Sequence, residues 1–252
     1  KLGEGFSFTE GPAVDAEGNV FFTDQPNDRI LKWSVDGKLT TFLQPCGRSN
    51  GLYFDKQGNL IACADDNNQL WSIDLKTGKE TILVKDYQGK LLNGPNDLWI
   101  SPNGGVWFTD PYYHRPWWPE GHKEIQKVRG VYYLAPDGEI KRVIDDFKTP
   151  NGIIGTPDGK TLYVADIQDN KTWRYDIQPD GTLENKTFFA PNGSDGMTID
   201  SEGNVYLTSG KVLVYNPKGK LIEEIEFPEQ PANVCFGGKK RNILFVTARK
   251  GV

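Results

Sequence analysis

Residues 10–38 read EGPAVDAEGNVFFTDQPNDRILKWSVDGK, and residues 50–79 read NGLYFDKQGNLIACADDNNQLWSIDLKTGK. The two stretches share one grammar. A short apolar strand leads, a turn closing on Gly18 or Gly58 follows, and then comes an apolar strand, VFFT or LIACA. A third strand carries Trp33 or Trp71 and ends at a second turn on Gly37 or Gly78. A more polar strand, TTFL or ETILV, completes the unit. Apolar runs bounded by Gly, Asn and Asp are hairpin signals.

The pattern returns along the whole chain. It is found at NDLWISPNGGVWFTD (96–110), resuming as GVYYLAPDGE (130–139), and at NGIIGTPDGKTLYVADIQDNKTWRYDIQPDG (151–181). A fifth copy is DGMTIDSEGNVYLTSGKVLVYNPKGK (195–220), and a shorter sixth is NVCFGGKKRNILFVTAR (233–249). Four antiparallel strands recurring every 40 to 45 residues or so match the period of a propeller blade. The expectation is an all-β fold, a six-bladed β-propeller with four-stranded antiparallel blades around a central channel, filling 1–252 as a single domain. Gly5-Phe6-Ser7-Phe8 is expected to pair into the last blade and close the ring. No segment keeps helical spacing for three turns.

Bulk composition narrows the function. Net charge is −5, and the Lys and Arg residues are scattered singly, so no nucleic-acid partner is expected. No apolar run approaches the roughly 20 residues of a membrane helix. Numbering starts at Lys1 and Met197 is the one methionine, so the choice between a cytoplasmic and a periplasmic or secreted location is left open. Cys46, Cys63 and Cys235 lie far apart and form no CxxC pair, which reads as three free buried thiols.

The repeat makes positions comparable. Glu10, Asn50, Asn96, Asn151, Asp195 and Asn233 each stand five residues before the first turn of their copy. The first strand of a propeller blade lines the channel, so these six should form one ring of side-chain oxygens about the axis. Two carboxylates among buried amides need a compensating cation. Glu10 and Asp195 together match one dication, and oxygen-only donors favour a hard ion. Asn-Gly and Asp-Gly pairs also form ordinary turns, but six polar residues in register, one of them the poor turn-former Glu10, favour the ring.

FTEGPAVD (8–15), GPNDLWISPNGGVWFTDP (94–111), TPNGIIGTPDGKTLYVAD (149–166) and GSDGMTID (193–200) resemble the gluconolactonase/regucalcin (senescence marker protein) family over nearly the whole chain. The resemblance implies a six-bladed propeller that hydrolyses sugar lactones with one divalent cation, Ca²⁺ first, with Mg²⁺, Mn²⁺ or Zn²⁺ as alternatives. It implies Glu10, Asn151 and Asp195 as metal ligands and Asn96 as a residue near substrate or metal, with Asp97 beside it. Animal members carry Arg two residues before the Asn-Asp pair, where this chain has Gly94.

In this scheme the ion polarises the lactone carbonyl and a carboxylate takes a proton from water. Asp195 is the first candidate for that base and Asp97 the second, with Asn50 among the substrate contacts. The third repeat is the longest, with 55 residues from Asn96 to Asn151 against 40 from Glu10 to Asn50. Its extra segment, 110–130, carries Tyr112, His114 and Trp117, which could stack on or hydrogen-bond a sugar. The alternative is that this loop packs on the neighbouring blade or on a partner chain. Competing functions are a paraoxonase-like or strictosidine-synthase-like propeller enzyme, or a non-catalytic binding propeller. The partner expected is a small sugar lactone. There is no GxSxG elbow, and Gly3-Glu4-Gly5 neither follows a strand nor opens a helix.

Overall fold

The computed structural model describes residues 1–252. The first sheet holds β1 (Glu4–Val14), β2 (Val20–Asp24), β3 (Arg29–Trp33) and β4 (Leu39–Leu43). The second holds β5 (Ser49–Phe54), β6 (Leu60–Ala64), β7 (Gln69–Ile73) and β8 (Glu80–Val84). The third holds β9 (Leu98–Ile100), β10 (Val106–Asp110), β11 (Gly130–Leu134) and β12 (Ile140–Ile144). The fourth holds β13 (Pro150–Gly155), β14 (Thr161–Asp166), β15 (Lys171–Ile177) and β16 (Leu183–Ala190). The fifth holds β17 (Met197–Ile199), β18 (Val205–Ser209), β19 (Lys211–Tyr215) and β20 (Leu221–Ile225). Last come β21 (Asn233–Gly237), β22 (Ile243–Thr247) and β23 (Arg249–Gly251).

Strands within each sheet are antiparallel and sequential, so this is an all-β propeller with four-stranded antiparallel blades. The innermost strands form a closed cycle: β1 touches β5, β5 touches β9, and the series continues through β13, β17 and β21 back to β1. Only the 3₁₀ turn Gln25–Asn27 is helical, and no helix is long and apolar enough to cross a membrane.

The expectation of six complete blades is met in five. The sixth repeat gives the two-stranded sheet β21–β22. Beyond it the chain reverses at Ala248 and Gly251, and β23 pairs with β1 in the first sheet rather than extending β22. The pairing of Gly5–Phe8 with the last repeat is therefore indirect. Glu4 sits opposite Gly251 and Thr9 opposite Arg249, while Phe6 and Phe22 pack with Phe245 in one apolar cluster. The two ends of the chain are thus held together by strand pairing and a shared core.

Apolar side chains of adjacent sheets fill the wedges between them. Trp99 and Trp107 of the third sheet join Tyr163 and Val164 of the fourth and Leu207 of the fifth in the largest cluster. Full burial of one such side chain is worth about 1.5–3 kcal/mol, so the wedges fix the angles between blades. Cys46, Cys63 and Cys235 are free and buried, as the sequence led us to expect.

Candidate functional site

Three ring residues lie where strand register slips. The shift between Glu10 and Ala13 in β1, between Ser49 and Leu52 in β5, and between Pro150 and Ile153 in β13 marks a bulge in each strand. A bulge bends a strand and re-aims a side chain. The other ring residues just precede or open their strands, with Asp195 N donating to Thr208 O at 3.1 Å and Asn96 N to Thr109 O at 2.9 Å.

The glycines that follow four of these residues explain how the ring closes so tightly. A Cβ on Gly11 would stand 2.1 Å from Asn50 O, and one on Gly51 would stand 2.6 Å from Asn96 O. On Gly152 it would stand 2.9 Å from Asp195 O, and on Gly196 it would stand 1.9 Å from Asn233 Oδ1. Each glycine makes room for the ring residue of the next repeat. Gly51 N also donates to Asn96 O at 2.7 Å, joining neighbouring blades through their backbones.

The side chains then meet. Asn233 Nδ2 donates to Glu10 Oε2 at 2.9 Å and lies 3.5 Å from Asp97 Oδ2. Gly11 N donates to the same Glu10 oxygen at 2.7 Å. Asn151 Nδ2 donates to Asp195 Oδ1 and to the Tyr113 hydroxyl, both at 2.9 Å. The carbonyl oxygens Asn50 Oδ1 and Asn151 Oδ1 are buried with no partner. Buried polar atoms are rarely left unpaired, so two orphan acceptors beside two carboxylates form a donor set suited to a hard cation. No three His, Cys, Asp or Glu side chains stand close enough to share one metal ion, so amide oxygens must complete any such set.

Burial raises the pKa of all three hub carboxyls. Glu10 is pushed well above its ordinary value by burial and by the nearby charges of Asp195 and Asp97. Asp195 is raised by burial, opposed by its bond from Asn151. Asp97 is pushed up to about 7 by burial, despite the 2.9 Å bond its Oδ1 accepts from Leu98 N. Three acids held together in a dry place resist ionising together.

A cavity of 1010 Å³ is at the opposite mouth of the channel, among Leu52, Ile100, Met197 and Phe236 near the first turns. Of the hub groups only Asp97 and Asn233 line it. They separate this apolar well from Glu10, Asn151 and Asp195.

The 110–130 loop splits into two parts. Tyr112 stacks with Trp118 and His122, and its hydroxyl donates to His122 O at 3.1 Å. Asn93 Oδ1 fixes the return of the loop by accepting from Ile125 N and Gln126 N at 2.9 and 2.7 Å. His114 is exposed. The structure therefore does not bring Tyr112 or His114 to the ring, because Tyr112 serves as the loop's own core. Tyr113 is brought there instead, through Asn151. Sequence alone offered no signal for choosing between adjacent tyrosines. Trp117 stands between two guanidinium groups, Arg48 at 4.7 Å and Arg115 at 5.7 Å from its ring.

Comparison with known proteins gives the chain a family. The profile of the SMP-30/Gluconolactonase/LRE-like region matches residues 8–250. The gluconolactonase of Zymomonas mobilis subsp. mobilis is 29% identical over an alignment 274 positions long, covering 97% of this chain and 77% of that one. The diisopropyl-fluorophosphatase of Loligo vulgaris is 28% identical, covering 98% of this chain and 87% of that one. A solved gluconolactonase from Xanthomonas campestris superposes with a TM-score of 0.93 at 30% identity, covering 99% of this chain and 86% of that one. A calcium-binding protein, regucalcin, from Agrobacterium tumefaciens shares the fold, with a TM-score of 0.81 at 22% identity. With the match running almost end to end, the chain belongs to the SMP-30/gluconolactonase/LRE-like family.

Proposed function

We propose that this chain is a lactonase of the gluconolactonase type, that it hydrolyses sugar lactones at the channel hub, and that it works with one divalent cation. In this reading the β21–β22 hairpin counts as the sixth blade, because its Asn233 completes the ring. The observation that carries the reading is the pair of buried, unpartnered oxygens Asn50 Oδ1 and Asn151 Oδ1 beside Glu10 and Asp195.

Glu10, Asn151 and Asp195 hold the cation, with Ca²⁺ the first candidate and Mg²⁺, Mn²⁺ or Zn²⁺ the alternatives. When bound, the ion polarises the lactone carbonyl and offsets the charge that grows on its oxygen. The remaining work belongs to the protein. Asp195 takes the proton of the attacking water. Asn151 Nδ2 holds Asp195 Oδ1, which leaves Oδ2 without a protein donor. Asp97 is the second candidate for the base, but it lies toward the apolar well. Water adds to the carbonyl carbon, the ring C–O bond breaks, and the ring oxygen leaves as a hydroxyl of the same molecule once it gains a proton. No covalent enzyme intermediate is required. The Tyr113 ring and the Asn50 and Asn96 amides line the approach.

The test is acid release from several aldonolactones at constant pH, with and without a chelator, followed by re-addition of Ca²⁺. The expected result is activity lost with chelator and regained with the ion. Activity indifferent to chelator overturns the cation's role. Inertness toward every lactone, together with hydrolysis of a phosphofluoridate, favours the chemistry named in the Loligo vulgaris relative.

A further inference from the structure

The aspartate at the end of a sheet's second strand has one repeated task. Asp24 accepts from Ser7 N and Phe8 N at 2.9 and 3.1 Å. Asp110 accepts from Asn93 N and Gly94 N at 2.9 and 2.8 Å. Asp166 accepts from Lys148 N and Thr149 N at 2.8 and 3.0 Å. Each carboxylate pins the segment leading into the innermost strand of its own sheet.

Asp65 holds the same position in the second sheet and makes none of these bonds. There Asp28 Oδ1 takes Arg48 N at 2.6 Å, the amide equivalent to those of Phe8, Gly94 and Thr149, together with Cys46 N at 3.0 Å. Asp65 is thereby released for another role. Its Oδ2 accepts from Arg115 Nε at 2.7 Å and from Gln25 Nε2 at 3.2 Å, while its Oδ1 is buried without a partner. Gly94 leaves the room: a Cβ there would stand 2.6 Å from Asp65 Oδ1.

The Asp65 side chain is 1% exposed and that of Arg115 15% exposed. A buried ion pair adds little stability over an apolar pair of the same size, so its presence points to geometry rather than strength. Only Nε of Arg115 is used within the protein, and Nη1 and Nη2 are left free. The guanidinium carbon is 5.4 Å from the centre of the Tyr113 ring, whose hydroxyl reaches Asn151. Contacts therefore run without a break from Asp65 through Arg115, Tyr113 and Asn151 to Asp195.

We infer that Asp65 is a positioning residue that fixes Arg115 at the channel mouth, and that Arg115 presents Nη1 and Nη2 to two adjacent oxygens of the lactone, a carboxylate or a vicinal diol. The inference deepens the lactonase reading and rests on it. A planar fork matches a pair of oxygens, and lysine's single ammonium cannot replace it. The substrate contact thus comes from the long loop of the third repeat, clamped by an acid of the second.

The test uses two lactones with the same ring, glucono-1,4-lactone and glucaro-1,4-lactone, which differ in a terminal CH₂OH against a carboxylate. Arg115→Lys should raise KM roughly tenfold or more while kcat stays within about twofold. A rise confined to the glucaro substrate assigns the fork to a carboxylate, and an equal rise on both assigns it to a diol. Asp65→Asn should reproduce the KM rise and speed tryptic cleavage within 110–130, with circular dichroism unchanged. Unaltered KM for both lactones in Arg115→Lys overturns the substrate contact, and a cleavage rate in Asp65→Asn equal to that of the parent overturns the clamp. A parent protein inert on every lactone removes the lactonase reading and the contact with it, and proteolysis then judges the clamp alone.

Discussion

Replacing Asp97 with Asn should make the cation-free protein more stable at pH 8 and leave it little changed at pH 4. Burial lifts the Asp97 carboxyl from an ordinary 3.8 to about 7. The fold therefore favours the neutral acid, and the stability that proton contributes is complete below about pH 4 and lost as the pH rises through 7. The full effect corresponds to about 4 kcal/mol at pH 8. In a domain of this size that is on the order of 10 °C in melting midpoint. Asn keeps an oxygen for the Leu98 amide and carries no charge to bury, so the variant escapes the loss. Removing the Asp97 charge also relieves Glu10, which acts in the same direction.

The assay is thermal unfolding of both proteins from pH 4 to pH 8 in chelator, plotted as the difference between their midpoints. The difference should open steadily between pH 4 and pH 7. Ca²⁺ at a hundred times its dissociation constant should raise the midpoints of both proteins, each by the equivalent of about 2.7 kcal/mol, because both keep Glu10, Asn151 and Asp195. A midpoint difference that stays flat across this range would refute the picture of a dry, crowded, acidic hub.

Other outcomes follow from the same geometry. Glu10→Gln and Asn151→Ala should each weaken Ca²⁺ binding by roughly 100-fold, read by titration calorimetry, and lower lactone hydrolysis in step. Gly196→Ala places a methyl 1.9 Å from Asn233 Oδ1, so it should detach Asn233 from Glu10. The cost should be about 1–3 kcal/mol of stability, read by urea unfolding, together with most of the activity. Burial pushes the Cys46 and Cys235 thiols up to about 12. A thiol reagent at pH 8 should therefore find no reactive cysteine in the native protein and three after unfolding.

Much of the architecture was readable because turns obey local rules. Gly18, Gly58, Gly104, Gly159 and Gly203 all adopt positive φ at the ends of their first turns, so their spacing in the sequence already measured the blades. The register that aligned Glu10, Asn50, Asn96, Asn151, Asp195 and Asn233 follows from each innermost strand approaching the axis alike. What stayed hidden depends on contacts between repeats. Nothing local says that Gly196 must be bare because Asn233 lies against it, or that Tyr113 rather than Tyr112 reaches Asn151. Asp65 looked like its three counterparts, and only the bonds that Cys46 N and Arg48 N donate to Asp28 set it apart. The sixth repeat misled because its two strands fit the template, while the destination of Arg249–Gly251 lay with residues at the far end of the chain.

Glu10 and Asn233 are 223 residues apart, yet their side chains touch, and they do so at the seam where β1 meets β21 and β23. A nascent or partly unravelled chain with an open annulus has these two groups in separate places. The contact between Glu10 and Asn233 thus exists only once the ring is closed, so the geometry of the hub reports that the two segments have met.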